Sequence, residues 1–241
     1  MRKVAIIQAR MGSTRLPGKV LKKVLNRSLL EYQLERIAKA NELDGYVVAT
    51  TTKDQDKAIV KLCEKLGVPV FRGSEEDVLS RYFAAAFYYQ ADVIIRLTSD
   101  CPLIDPNIID QVIQRYCAEP NHYDYVSNVL KRTFPRGMDI EVFSYDALTK
   151  CHQLAKQKSD REHVTSYLYQ HPKQFKLLNV ENSQDQSEHR WTVDTWEDFK
   201  LIKKIIESFY PHQPDYTMED VLTLIQMNPE WREINRHIKQ K

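Results

Sequence analysis

A short apolar run that breaks off into a loop of small and cationic residues constrains this chain more than any other stretch. Val4 to Ile7 follows Arg2 and Lys3 and has the continuous apolar character of a strand buried on both faces of a largely parallel sheet. Gln8 to Lys19 then sets Arg10, Arg15 and Lys19 among Gly12, Ser13, Thr14 and Gly18. Gly12 carries no side chain and reaches backbone angles that other residues avoid, so a polyanion can lie against the amides of the Met11 to Thr14 turn. Two planar guanidinium forks and one ammonium are the groups that neutralise a triphosphate. Each cation alone reads as a solvated surface charge, whereas the cluster reads as a phosphate site.

Two familiar phosphate loops do not fit. A Walker loop needs glycines separated by four residues and then Lys-Ser or Lys-Thr, but Gly12 and Gly18 are separated by five and Val20 follows Lys19. The dinucleotide fingerprint needs three glycines after the strand, and only these two are there.

Beyond the loop, apolar residues at helical spacing (Leu30, Leu34, Ile37, Ala38) precede a second strand, Gly45 to Thr51, giving a β-α-β start. Asp54 to Asp56 has the Asp-x-Asp pattern of metal-binding glycosyltransferases, but its place before the helix of Ile59, Leu62 and Leu66 makes it a cap. Val68 to Phe71 is a short strand, after which Ser74 is expected to cap a helix carrying Arg81. Arg81 can pair with Asp77 one turn earlier or face a ligand. Val93 to Leu97 is a strand with Asp100 just past its carboxyl end, where open α/β sheets bind ligands. Asp105 and Pro106 start the next helix, which leaves Asp100 without a structural task. Cys101 beside it has no nearby histidine in sequence and reads as a packed thiol.

Asp139 and Glu141 lie two apart on an expected strand and so share a face. They can contact a ligand's hydroxyls or a metal, or be solvated edge carboxylates. Ser159 to Glu162 has the form of a capping box, leaving Arg161 and His163 on the helix it opens. His189 to Val193 reads as a strand ending in Asp194, with Thr195 and Asp198 capping the next helix.

The 241 residues, 42% hydrophobic and 28% charged, suit one soluble α/β domain, and no apolar run approaches the roughly 20 residues of a membrane span. The chain opens directly into a strand without a signal peptide, so a cytoplasmic location is expected. A formal net charge of +2 without a basic block excludes a nucleic-acid-binding surface, and four cysteines without metal-ligand spacing suit free thiols.

The run Gln8-Ala-Arg-Met-Gly-Ser-Thr-Arg-Leu-Pro-Gly-Lys19 resembles the opening motif of the sugar cytidylyltransferases that activate 3-deoxy-manno-octulosonate, sialic acid and related acids, most closely the spore-coat polysaccharide branch. Pro135 to Phe143, Arg161 to Thr165 and Trp191 to Asp198 resemble further motifs of that branch, with Ser99 and Trp196 replacing a customary Gly and Pro. The resemblance implies a three-layer α/β/α nucleotide-diphospho-sugar transferase (Rossmann-like) fold, its sheet mostly parallel, with an inserted hairpin around Phe134 to Phe143. It implies one domain over 1–241: a nucleotide-binding part to about 120, a sugar and dimer part from about 121 to 190, and C-terminal helices from about 195.

The implied reaction transfers CMP from CTP to a sugar, with Mg²⁺ as cofactor, for cell-surface or spore-coat polysaccharide. Arg10, Arg15, Lys19 and Asp100 are the implied catalytic residues. Gln8, Ala9, Arg10, Met11, Gly12, Ser13, Arg15, Lys19, Arg72, Gly73, Ser74 and Asp77 are implied to bind the nucleotide. Asp139, Glu141, Arg136 and His163 are implied to bind the sugar, Asp100 and Asp194 the metal, and a homodimer is implied through the hairpin. A glycosyltransferase using a ready-made nucleotide-sugar and a nucleotide-binding protein without chemistry are the alternatives, since related folds serve both.

Overall fold

Alternate residues of the first strand point to opposite faces, and both faces are buried. Ala5 and Ile7 join one apolar cluster, and Val4 and Ile6 join another. In the computed structural model, which describes residues 1–119 and 122–239, this strand is β1 (Lys3–Gln8). A small ribbon of β2 (Lys23–Val24) and β3 (Arg27–Ser28) leads to α1 (Leu29–Ile37), β4 (Gly45–Thr51), α2 (Lys57–Leu66), β5 (Val70–Gly73), α3 (Val78–Tyr88) and β6 (Val93–Thr98). Then come α4 (Pro106–Cys117), β7 (Tyr125–Ser127), β8 (Glu141–Ser144), α5 (Tyr145–Leu154), α6 (Lys158–His163), α7 (Ser166–Gln170), β9 (Leu177–Asn179), α8 (Trp196–Phe209) and α9 (Met218–Met227).

Seven strands form one sheet in the order β5-β4-β1-β6-β8-β7-β9, and β8 runs antiparallel to β6 and β7. Side chains of α1, α2, α4, α8 and α9 cover one face, and those of α3, α5 and α7 cover the other, which makes three layers. Chain order reverses at β1, with β4 on one side and β6 on the other. Gln8 is registered with Thr98, so the loops leaving β1 and β6 emerge together at the carboxyl edge, the place where such sheets bind ligands.

Helix starts follow local chemistry in most places. Ser28 with Glu31 and Thr195 with Asp198 form capping boxes, and Asp105 accepts from the Asn107 amide ahead of Pro106. Others differ from the sequence reading. Asp77, not Ser74, caps α3, because the Ser74 hydroxyl is taken by the Asp77 amide. No side chain caps α6, and the expected helix of 161–169 breaks at Val164, whose φ is 59°. Residues 189–194 form no regular strand: the Trp191 amide donates to the Arg136 carbonyl, but the segment pairs with 136 only at one isolated bridge. The antiparallel arms are β7 and β8, so Phe134 to Ile140 is connection rather than hairpin.

Candidate active site

The loop after β1 is held from behind. The Asp56 carboxylate accepts the Met11 amide at 2.7 Å and the Thr51 hydroxyl, and the Met11 carbonyl accepts the amides of Ser13 (2.9 Å) and Gly18 (3.1 Å). Gly18 adopts φ 65°, a left-handed angle that costs glycine little, and from it a single 3-10 turn, residues 19–21, points Lys19 inward. Asp56 is fully buried in this task, which excludes the Asp54 to Asp56 pair as a metal site and also as a helix cap.

Lys19 meets two carboxylates that lie far apart in sequence. Its ammonium is 3.0 Å from Asp100 Oδ2 and 2.9 Å from Asp194 Oδ1. Asp194 also takes Arg15 at 2.9 Å and Arg190 at 2.8 Å, and Asp100 accepts the Thr98 hydroxyl at 2.6 Å. Burial pushes Lys19 toward its neutral form, but the Asp100 and Asp194 charges outweigh it and hold its pKa above the ordinary value. Burial likewise pushes Asp100 up, and Lys19 and the Thr98 hydroxyl bring it below the usual carboxylate range. The thiol of Cys101, pushed well up by burial and then by the Asp100 charge, is inert.

These groups form one wall of a cleft of about 470 Å³. Arg81, Arg136 and Asp139 also line it, as do the exposed Glu162 and His163. Arg81 is 3% exposed, donates to the Ser74 carbonyl, and leaves its buried Nε without a partner. Burial, and next among the lowering causes the Arg10 charge, reduces its pKa. A guanidinium so placed is short of an anion. Arg136 is brought in by Gly137, at φ 104°, where a Cβ would stand 2.7 Å from the Trp191 carbonyl carbon.

The cytidylyltransferase family model matches residues 4–228 of the chain. The chain belongs to the cytidylyltransferase family. It is 35% identical to the spore coat polysaccharide biosynthesis protein SpsF of Bacillus subtilis over 93% of this chain and 94% of that one. A solved cytidylyltransferase from Leptospira borgpetersenii is 36% identical, with a TM-score of 0.93 over 100% of this chain and 99% of that one. A CMP:2-keto-3-deoxy-manno-octonic acid synthetase complexed with CTP shares the fold, at 18% identity and a TM-score of 0.67 over 86% of this chain and 99% of that one.

In this member of the family the cleft is lined by Gln8, Ala9, Arg10, Ser13, Arg15, Lys19, Asp100, Arg136, Asp139, His163 and Asp194 of the residues singled out from sequence. Other candidates stand behind that lining. Met11 lends its backbone to the loop, and a Cβ on Gly12 would meet Gln55 and Glu75 at 3.2 Å, so its small size, not a left-handed angle, is what the loop uses. Arg72 donates to the carbonyls of Thr51 and Lys53. Gly73 makes room for Arg81, whose Cγ would be 2.9 Å from an added Cβ. Asp77 pairs with Arg161 at 2.6 Å rather than with Arg81, so it faces α6 and not the cleft.

Glu141 is the other departure. It is 6% exposed, with Arg96 at 2.5 Å, the Tyr125 hydroxyl at 3.0 Å and the Thr165 hydroxyl at 3.1 Å around its carboxylate. Strand β8 begins at Glu141, so Asp139 lies in the preceding loop and the period-two rule does not join them. Asp139 is held by Arg132, at 2.5 and 2.9 Å.

Ser99 has no positive φ and donates its amide to the Gln8 carbonyl, so Ser in place of Gly leaves this turn intact. Trp196 begins α8 half-exposed, stacked on Phe199 at 5.1 Å, a position that needs no proline. Thr98, Thr192 and Glu162 line the cleft without having been singled out as ligands. For Thr98 the signal was its place at the strand end two residues before Asp100.

The residues fit a hard divalent ion. Among the described residues no three His, Cys, Asp or Glu side chains converge, but Asp100 and Asp194 already share one cation, the Lys19 ammonium. Mg²⁺ is commonly held by one or two carboxylates, with waters and substrate phosphates completing six positions.

Proposed function

We propose that this protein transfers CMP from CTP to a hydroxyl of a sugar acid and releases pyrophosphate, making an activated sugar for a surface polysaccharide. The observation that carries the reading is the meeting of Arg10, Arg15 and Lys19, from one loop, with Asp100 and Asp194 at the carboxyl edge of the sheet. The relatives' names, a spore coat polysaccharide protein and a CTP-bound synthetase of a sugar acid, agree with it in kind.

Phosphoryl transfer of this type needs positioning and charge neutralisation more than covalent help. Arg10 and Arg81, both facing the cleft without an ion-pair partner among the described residues, receive the phosphates. Lys19 and Arg15 turn from the carboxylates to the β- and γ-phosphates, which become the departing pyrophosphate. Asp100 and Asp194 would hold Mg²⁺, which when bound supplies charge to the phosphate oxygens. Arg136 faces the carboxylate of the sugar acid, and Asp139 and His163 its hydroxyls. The acceptor oxygen bonds to the α-phosphorus as the bond to the β-bridging oxygen breaks.

The test is a pyrophosphate-release assay with CTP, Mg²⁺ and a panel of sugar acids that includes 3-deoxy-manno-octulosonate, with UTP, GTP and ATP as competitors. Release with CTP and a sugar acid supports the reading. Calorimetric binding of no nucleotide, or of all four equally, refutes it.

A further inference from the structure

The chain between α6 and α7 is strained at one residue and clamped on both sides of it. Val164, 1% exposed, has φ 59° and ψ −58°, and the Thr165 amide donates to the His163 carbonyl at 2.6 Å. This is a γ-turn of the rare positive-φ kind, built on a β-branched side chain, the residue type least suited to it. Such strain persists only where surrounding structure over-determines it. On one side, Arg161 donates to Asp77 (2.6 Å), to the Ser80 hydroxyl (2.6 Å) and to the His152 carbonyl (2.9 Å). On the other, the Thr165 hydroxyl is held by the buried Glu141 carboxylate, and the Ser166 hydroxyl donates to the buried Asp160 at 2.8 Å.

Between the clamps, only Glu162 and His163 are exposed, and both line the cleft. The other three carboxylates lining that cleft are engaged: Asp100 and Asp194 by Lys19, and Asp139 by Arg132. Glu162 has no hydrogen bond or ion pair among the described residues. It is also not the helix cap its sequence position indicated. An exposed, unpaired proton acceptor lining a cation-rich cleft, beside a turn that costs stability to form, has the placement required of a base.

We infer that Glu162 is the general base of the transfer, an assignment that rests on the reaction proposed above. The acceptor hydroxyl oxygen forms its bond to the α-phosphorus, and its proton passes to the Glu162 carboxylate. The bond from that phosphorus to the β-bridging oxygen breaks with its electron pair leaving on pyrophosphate. Glu162 returns the proton to water after the products leave. The segment Arg161 to Thr165 is thus a positioning device whose product is one free carboxylate.

Two measurements test this. In the first, inorganic tripolyphosphate is titrated calorimetrically at low salt into wild type, Glu162→Gln and Glu162→Lys. A carboxylate within a Debye length of the phosphate loop predicts tightening by about threefold to tenfold for Glu162→Lys. Unchanged affinity puts Glu162 outside the cleft and overturns the assignment. In the second, with CTP, Mg²⁺ and 3-deoxy-manno-octulosonate as the acceptor probe, Glu162→Gln should lower kcat by about 10²- to 10⁴-fold and remove the acid limb of its pH profile, with KM for CTP unchanged. Turnover within about threefold of wild type, or the loss appearing in His163→Gln instead, overturns it. A wild-type protein that binds tripolyphosphate but releases no pyrophosphate with any sugar acid counts against the reaction, and the first measurement still decides where Glu162 stands.

Discussion

Replacing Lys19 by Met removes the cation that the buried Asp194 and the half-buried Asp100 share, while keeping most of the side-chain volume. Asp100 Oδ2 and Asp194 Oδ1 sit 3.0 and 2.9 Å from the ammonium, so without it they face each other across no more than about 6 Å. At an effective dielectric of about 20, two such charges repel by about 3 kcal/mol, and breaking a buried ion pair by removing one partner costs about 3–5 kcal/mol. Arg15 and Arg190 remain on Asp194, and Thr98 on Asp100, so the lower figure applies.

A loss of about 3 kcal/mol lowers Tm by about 6–12 °C in a chain of this size. The sign with pH reverses as well. In the wild type the folded pKa of Asp100 is depressed, so its contribution is present above the unfolded value and is lost as pH falls through the folded one. In Lys19→Met burial is left as the dominant influence, the folded pKa rises above the unfolded one, and acidification from neutrality restores part of the lost stability. Thermal melts from pH 5 to 8, with and without Mg²⁺, read both effects. Mg²⁺ should raise the variant's Tm by several degrees and the wild type's little, since the ion replaces the missing charge. A variant that melts like the wild type, with the same pH slope and no response to Mg²⁺, would refute the account of Lys19, Asp100 and Asp194 as one electrostatic unit.

Other substitutions separate ligand contacts from supports. Arg81→Met should weaken CTP binding by about tenfold to a hundredfold, the value of one charge-assisted contact, and leave Tm unchanged or raised because a buried charge is removed; calorimetry and a melt distinguish this from a structural role. Asp56→Ala frees the Met11 amide and the Thr51 hydroxyl that the buried Asp56 holds, at a cost of about 1–3 kcal/mol, and should weaken triphosphate binding although Asp56 lines no part of the cleft. Glu141→Gln leaves the part-buried Arg96 without its counter-charge and should destabilise by about 3 kcal/mol, measured by urea unfolding, without changing CTP affinity.

Much of the scaffold was legible because it is written locally. Apolar runs of strand length, Asp105 and Thr195 as caps, and the abrupt change from Ile7 to the cationic loop all act within a few residues. From these alone the phosphate loop, the β-α-β start and the position of Asp100 beyond β6 can be placed, because a parallel sheet puts its ligand edge where its strands end. What stayed hidden was the choice of partner. Asp77 could meet Arg81 or Arg161, and α6 packing against α3 settled it. Asp56 was a metal or cap candidate until the loop 45 residues earlier took its oxygen. Glu141 matched Asp139 in spacing but not in direction, because β8 begins only at Glu141 and its side chain enters the core beneath Arg96. Glu162 read as a cap and became a free carboxylate when Val164 turned the chain. Local sequence determines which backbone shapes form, since their energies depend on neighbours within a turn. Which of several equivalent charges ends paired, and which is left open to a ligand, depends on contacts across tens to hundreds of residues, and these exist only once the layers have packed.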